Sequence, residues 1–343
     1  MFVYALAMLA HSVEWALARR LETLAPEPTA SRTTVSVGAR GLPAWPQPST
    51  SVDDVPAAGT ALGSPPRIGS SVEAGGGGLD EGDPAGSEGS DRYGRIGLSL
   101  TVLAMALHLV GVVTRGVAAE RVPWGSMYEF AITGSLAVAI AYLVLVVGSG
   151  VRWMGLPVTG FLVSVLGVAV VVLYRPVAPL VAALNSYWIV IHVTAAVISS
   201  GAFTIGAICS ILFLKRQRLE VAAAAGGNLA PRRGFLWRMP SSAAIDQVSY
   251  RVHAFAFPLW TFAVLTGAIW ADEAWGRFWG WDPKEVWAFI TWVVYAAYLH
   301  ARATAGWRGR GAAYIALAGY ATFLFNFVGI NLLGSGLHAY SGM

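Results

Sequence analysis

A chain of 343 residues that is 56% hydrophobic and 12% charged, with a mean hydropathy of +0.58, is not that of a soluble domain; it is the composition of a polytopic membrane protein. The formal charge of +4 is explained by basic segments between apolar runs, so it calls for no nucleic-acid partner. A single cysteine, Cys209, excludes a disulfide framework and a Cys-X-X-Cys redox centre.

A membrane-spanning helix needs about 20 mostly apolar residues. Such runs lie at about 2–17, 96–117, 130–147, 154–174, 188–213, 252–270, 286–303 and 312–333, which predicts an all-α bundle of about eight transmembrane helices. The first run is short and begins at Met1, so some upstream residues are expected to have been clipped. It does not read as a signal peptide, because no basic segment precedes it and Glu14, Arg19 and Arg20 stand where a small-residue cleavage site would be. Residues 1–20 are therefore read as a first transmembrane helix. Residues 21–92 are rich in Gly, Pro, Ser, Thr and Ala and read as a disordered cytoplasmic linker. Residues 93–343 form the main membrane domain, in which the polar stretch 215–247 reads as a basic loop.

Orientation follows from the positive-inside rule. Arg19, Arg20, Arg92 and Arg95, then Lys215, Arg216, Arg218, Arg232, Arg233 and Arg238, then Arg302, Arg308 and Arg310 place three connections inside. Alternation then puts both termini, the loops at 115–129 and 175–187, and residues 275–292 outside.

That last segment carries most of the information. Trp275, Trp279, Trp281, Trp287 and Trp292 fall within eighteen residues that also hold Arg277, Asp282, Lys284 and Glu285. An interfacial aromatic belt is one reading. The density and the polar residues favour another, a shelf of indole faces for a large flat apolar ligand. Asp282 and Glu285 fit the start of a helix, with Pro283 in its first turn. Arg277, Arg121 and Arg115 are the cations available to an acidic ligand group.

Intramembrane ionisable residues are functional candidates by default. Among the six histidines, His192 lies about one turn into its span from the outer end and His338 just beyond the outer end of the last span. His300 lies about four turns below the tryptophans. Two imidazoles flanking a flat aromatic shelf have the arrangement used for bis-histidine ligation of haem iron, although a lone histidine in a helix is as commonly a hydrogen-bonded packing residue. His108 is open between packing, a second intramembrane ligand and an entry group; packing is the default. His11 is undecided, and His253 is the least functional by position.

The segment from Trp275 to Glu285 and the helix through His300 and Arg302 resemble the WWD segment of the CcsA/ResC family, the haem-handling subunit of system II cytochrome c biogenesis. The segments 122–130, 185–192, 250–261, 267–271 and 331–338 resemble the other family signatures in the family's order. The resemblance runs from about residue 96 to the C-terminus; it is weaker over the first span and does not touch the linker.

The resemblance implies a multi-pass protein of the bacterial plasma membrane that takes haem b as substrate and binds it on the outer face. His192 and His338 would be the axial ligands, flanked by Trp275, Trp279, Trp281, Asp282 and Trp287. His300 would belong to an inner haem site completed by a ResB/CcsB-type partner. An apocytochrome c would bring the two thiols of its CxxCH motif, kept reduced by a thioredoxin-like protein, and the chain would be the haem-binding part of a holocytochrome c synthase. No residue here is singled out as catalytic. A haem transporter or delivery subunit without ligation activity is the alternative, and a carrier of another amphipathic aromatic ligand is a third reading that leaves the paired histidines unexplained.

Overall fold

The computed structural model describes residues 1–24, 84–179, 184–225, 235–304, 306–333 and 336–338. Among them every regular element is helical: α1 (Phe2–Leu24), α2 (Pro84–Ala119), α3 (Met127–Ser149), α4 (Gly155–Val168), α5 (Tyr187–Ala224), α6 (Phe235–Arg238), α7 (Ser242–Trp275), α8 (Pro283–Ala303), α9 (Arg310–Leu324) and α10 (Ile330–Leu333). A short 3₁₀ turn, Arg152–Met154, leads into α4, and π-helical turns continue α4 over Ala169–Leu173 and α9 over Phe325–Gly329.

Each of the eight apolar runs is helical. Six of the resulting helices, counting each with its 3₁₀ or π extension, are long and apolar enough to cross a membrane. The other two depart for separate reasons. The apolar part of α1, Phe2–Leu17, is short. The first turn of α8 contains Lys284 and Glu285 and its last turn His300 and Arg302, which lowers its hydropathy although its 21 residues are enough to span.

Two expected boundaries shift. The linker expected at 21–92 lies outside the described residues from 25 to 83, but 21–24 complete α1 and 84–92 open α2. The expected basic loop at 215–247 is largely helix: α5 runs on to Ala224 and α7 begins at Ser242. Arg216 and Glu220 pair at 3.0 Å one turn apart, and the Arg216 guanidinium lies 4.5 Å over the Trp237 ring. These contacts support helix where hydropathy has ended. Arg232 and Arg233 lie outside the described residues.

The bundle is organised around α5, which packs on α7, α3, α9 and α4 and is buried along most of its apolar length. Its inner positions are small, including Ala195, Ala196, Ser199, Ser200, Gly201 and Ala202. Small residues let neighbouring backbones approach closely, which is how helices associate in lipid, where tails are as apolar as side chains. Larger rings fill the space between α5, α7, α8 and α9: Phe203 stacks on Tyr295 with centroids 4.0 Å apart, and Trp260 meets Phe323 edge-on. Cys209 is buried, its thiol 3.7 Å from the Met154 sulfur, in a packing role.

Polar contacts join helix ends in two sets. At one end Arg152 pairs with Asp91, Arg302 with Asp246, and Arg310 hydrogen-bonds Gln217. At the other, Ser186 bonds Glu273, and the fully buried Glu129 accepts from Arg115 Nε at 2.9 Å, Arg121 Nη1 at 2.7 Å and Gly125 N–H at 2.8 Å. Replacing Glu129 by Ala would leave two guanidiniums unmatched. The expected loss is ~3 kcal/mol, read as a lowered thermal midpoint of the detergent-purified protein, with Glu129→Gln losing less.

Candidate functional site

At the end of the bundle marked by Glu129, the chain between α7 and α8 forms a compact loop. Gly276 ends α7 in a left-handed conformation, and Trp281 adopts φ 58° just before α8. For a bulky non-glycine residue that backbone is strained and persists only when its surroundings hold it. A capping box holds it here: Asp282 is the N-cap of α8, Pro283 begins the helix, and Glu285 reaches back to the Asp282 N–H. Glu285 also accepts from Gly280 N–H at 2.8 Å and from Arg277 at 3.2 Å, so one carboxylate gathers the loop.

Asp282 has a second task. Its carboxylate accepts the Leu337 N–H at 2.7 Å and lies 2.6 Å from His338 Nδ1, which fastens the chain beyond α10 onto the tryptophan loop. Burial pushes the Asp282 pKa up, but the bonds from Leu337 and His338 outweigh it and hold the carboxyl below its usual range. Burial, aided by the charge of Lys284, lowers the His338 pKa to about 4 against the pull of Asp282, so the imidazole is neutral at physiological pH. With an acceptor facing Nδ1, the proton sits there and Nε2 is the nitrogen with the lone pair.

His192 has the same arrangement. Its Nδ1 lies 2.7 Å from the Ala263 carbonyl, which can only accept, so Nδ1 carries the proton and Nε2 the lone pair. A Cβ added at Gly267 would lie 2.7 Å from this Nδ1; the glycine makes room for the ring.

His192 and His338 line one cavity of about 190 Å³. Trp270 contacts both rings, parallel to His192 at 6.2 Å and inclined to His338 at 5.8 Å, and Trp275 meets His338 edge-on at 4.9 Å. The wall includes Trp124, Phe130, Trp260, Phe278, Trp279 and Phe327. It is predominantly apolar and aromatic, and it includes two imidazoles whose Nδ1 atoms each face an oxygen acceptor. Such a donor set fits a large planar apolar ligand carrying a metal with axial positions to fill.

The match to the family model described as Cytochrome C assembly protein extends over residues 98–338. The chain is 35% identical over 260 residues to the cytochrome c biogenesis protein CcsA of Guillardia theta, an alignment covering 71% of this chain and 85% of that protein. It is 33% identical to the CcsA of Picosynechococcus sp., covering 72% and 87%, and 34% identical to that of Synechococcus elongatus, covering 74% and 88%. The chain belongs to the cytochrome c assembly protein family. It is a CcsA/ResC-type multi-pass membrane protein with a role in cytochrome c biogenesis.

Around this cavity the structure distributes the expected residues unevenly. His192, His338 and Trp279 line the cavity. Trp275 and Asp282 act on its edge through His338. Trp281 is 67% exposed, and Trp287 packs on Phe325 with centroids 4.2 Å apart. His300 is exposed on α8 and is not part of the cavity. Arg115 and Arg121 are committed to Glu129, and Arg277 bonds Glu285. His253 is fully buried, its Nδ1 at 2.8 Å from the Ser249 carbonyl; His108 contacts the Tyr4 hydroxyl and His11 contacts Glu14.

Lys284, Asn326 and Asn331 line the cavity although the sequence reading assigned them no role. Amides within an apolar span were the available signal. Gly336, at φ 136°, carries a test of the Asp282 latch, because a Cβ there would lie 2.5 Å from Asp282 Oδ1. Gly336→Ala is expected to raise hydrogen exchange at the Leu337 amide about tenfold or more while leaving the thermal midpoint nearly unchanged.

Proposed function

We propose that this chain holds haem b on the outer face of the membrane, with His192 and His338 Nε2 as axial ligands, and presents it for thioether attachment to the CxxCH motif of an apocytochrome c. The observation that carries the reading is the pair of imidazoles lining one aromatic cavity, each with Nδ1 turned toward an oxygen acceptor. Metal-binding histidines are commonly oriented in this way, since the second hydrogen bond fixes the tautomer and raises ligand basicity.

The part of the chain is positional. Stacking on Trp270 and Trp279 supplies affinity, the ligands fix the iron, and the vinyl groups are brought to the thiols of the substrate. A cavity of about 190 Å³ is smaller than the roughly 300–1,000 Å³ that encloses a small molecule whole, so a porphyrin between these imidazoles projects beyond the rim. Projection suits a ligand that must meet another protein. The exposed Phe278 and Trp281 provide an aromatic margin beside it.

Product leaves when the substrate histidine replaces one axial ligand. Residues 275–292 and the C-terminus then face outward, and the arginine-bearing end with Arg152, Arg302 and Arg310 faces the cytoplasm, in keeping with the positive-inside rule. Exposure of His300 on α8 supports a second, intramembrane haem site completed by a ResB/CcsB-type partner. A thioredoxin-like protein keeps the apocytochrome thiols reduced. The main membrane domain is residues 93–343, preceded by a first membrane helix and a linker.

The test is the optical spectrum of protein co-purified with its ResB-like partner. His192→Gly and His338→Gly are each expected to lose outer-site haem and to regain it with added imidazole; undiminished haem with an unchanged spectrum in both rules the reading out. Asp282→Asn should weaken haem binding ~10–100-fold, with a greater effect in wild type than in His338→Gly restored with imidazole, because it acts through His338.

A further inference from the structure

The cavity is not uniformly apolar. Besides the two imidazoles, Ser126 and Glu285, its polar lining comprises Lys284 from the first turn of α8, Asn326 from the π-helical turn after α9 and Asn331 from α10. The π turn inserts an extra residue per turn and changes which side chains face inward, a device that recurs at functional sites.

Two observations show a polar demand that the protein itself leaves open. Asn326 is 8% exposed, and its Oδ1 has no hydrogen-bond partner among the described residues. A buried amide atom without a partner costs free energy in an apolar wall. Rotation of the amide exchanges oxygen for nitrogen, so the same position offers a donor in the other orientation. The second observation is Lys284. Its Nζ donates to Asn331 Oδ1 at 2.7 Å, a neutral acceptor, and it forms no ion pair among the described residues.

The neighbouring carboxylates make no ion pair with the Lys284 amine, although the charge of Asp282 acts on it and Asp282 accepts the Lys284 backbone N–H. Glu285 receives Gly280 N–H, Asp282 N–H and Arg277, while Asp282 receives Leu337 N–H and His338. The arginines expected from sequence to take an acidic ligand group are similarly engaged with Glu129 and Glu285. A cation hydrogen-bonded to a neutral partner, in a cavity wall that also holds an unsatisfied amide, two metal-type imidazoles and a Glu285 already taken up by Gly280, Asp282 and Arg277, suits a ligand with a carboxylate at one edge.

We propose that Lys284, supported by Asn326 and Asn331, is a carboxylate-binding subsite that takes a propionate of the haem held by His192 and His338. The proposal rests on the haem-binding reading above and adds orientation to it. Imidazole ligation alone leaves the macrocycle able to turn about the axis through the iron. A carboxylate held by Lys284 removes that freedom, and because the vinyls lie on the opposite side of the porphyrin from the propionates, gripping one edge directs the other.

The experiment uses the full chain in detergent, titrated with ferric protoporphyrin IX and, separately, with its dimethyl ester, following the Soret band. The ester differs in its partition into detergent, so the decisive quantity is the ratio of the two affinities compared between wild type and Lys284→Gln. That ratio is expected to fall about tenfold in Lys284→Gln and to be largely kept in Lys284→Arg. An unchanged ratio in Lys284→Gln overturns the subsite.

Should Lys284→Gln not fold, as judged by gel filtration, Asn326→Leu keeps the amine and is expected to lower the ratio ~3-fold; no change there overturns the proposal equally. His192→Gly separates this inference from the reading beneath it. If haem binding depends on His192 but the acid-to-ester ratio ignores Lys284, only the subsite fails; if neither porphyrin binds in a His192-dependent way, both fail.

Discussion

The end of the bundle that carries the tryptophan loop depends on the Asp282 carboxylate. It caps α8, accepts the Leu337 N–H and holds His338 by Nδ1, so the start of one helix, the chain beyond another and a candidate iron ligand share one side chain. A carboxylate is suited to this because it has two oxygens with several acceptor positions and is favoured by the dipole at a helix N-terminus. The neighbouring Glu285 does for the tryptophan loop what Asp282 does for the C-terminal segment, gathering Gly280, Asp282 and Arg277. Their adjacency makes the loop geometry and the His338 geometry one mechanical unit. The left-handed conformation of Trp281 is the strain this unit sustains.

The rest of the bundle gives the unit a fixed place. In lipid there is little hydrophobic gain from burying one helix against another, so association relies on close packing and interhelical polar contacts. The small-residue surface of α5 provides the first, and Glu129 with its two arginines provides the second at the same end as the site. His192 stands on α5 and its acceptor, Ala263, on α7, the pair of helices with the most extensive contact. One imidazole is therefore carried by the most extensively packed pair of helices, whereas His338 is carried by a short segment held through Asp282.

Much of the architecture was legible in the sequence because twenty-residue apolar runs admit few alternatives: a backbone in lipid has to satisfy its own hydrogen bonds. All eight runs are helices. Their ends were less legible, since hydropathy stops reporting where the chain leaves the apolar layer while a helix continues if side-chain pairs sustain it. The extension of α5 through Arg216 and Glu220 is such a case. The capping roles of Asp282, Pro283 and Glu285 were readable because capping is local, set by residues within one turn.

The sequence by itself determined the solvent, the helices, the tryptophan-rich loop and the few imidazoles able to act within it. It could not determine which of those side chains face one another. Trp279 enters the cavity while Trp281 and Trp287 do not, and Trp270, outside the dense segment, contacts both imidazoles. Asn326 and Asn331 are turned inward by a π turn that has no strict residue code, and Lys284 meets them from 47 positions away from Asn331 in the chain. Local propensity and hydropathy are sums over neighbours in sequence; a cavity is made by contacts between distant segments whose helix rotation and register only tertiary packing fixes.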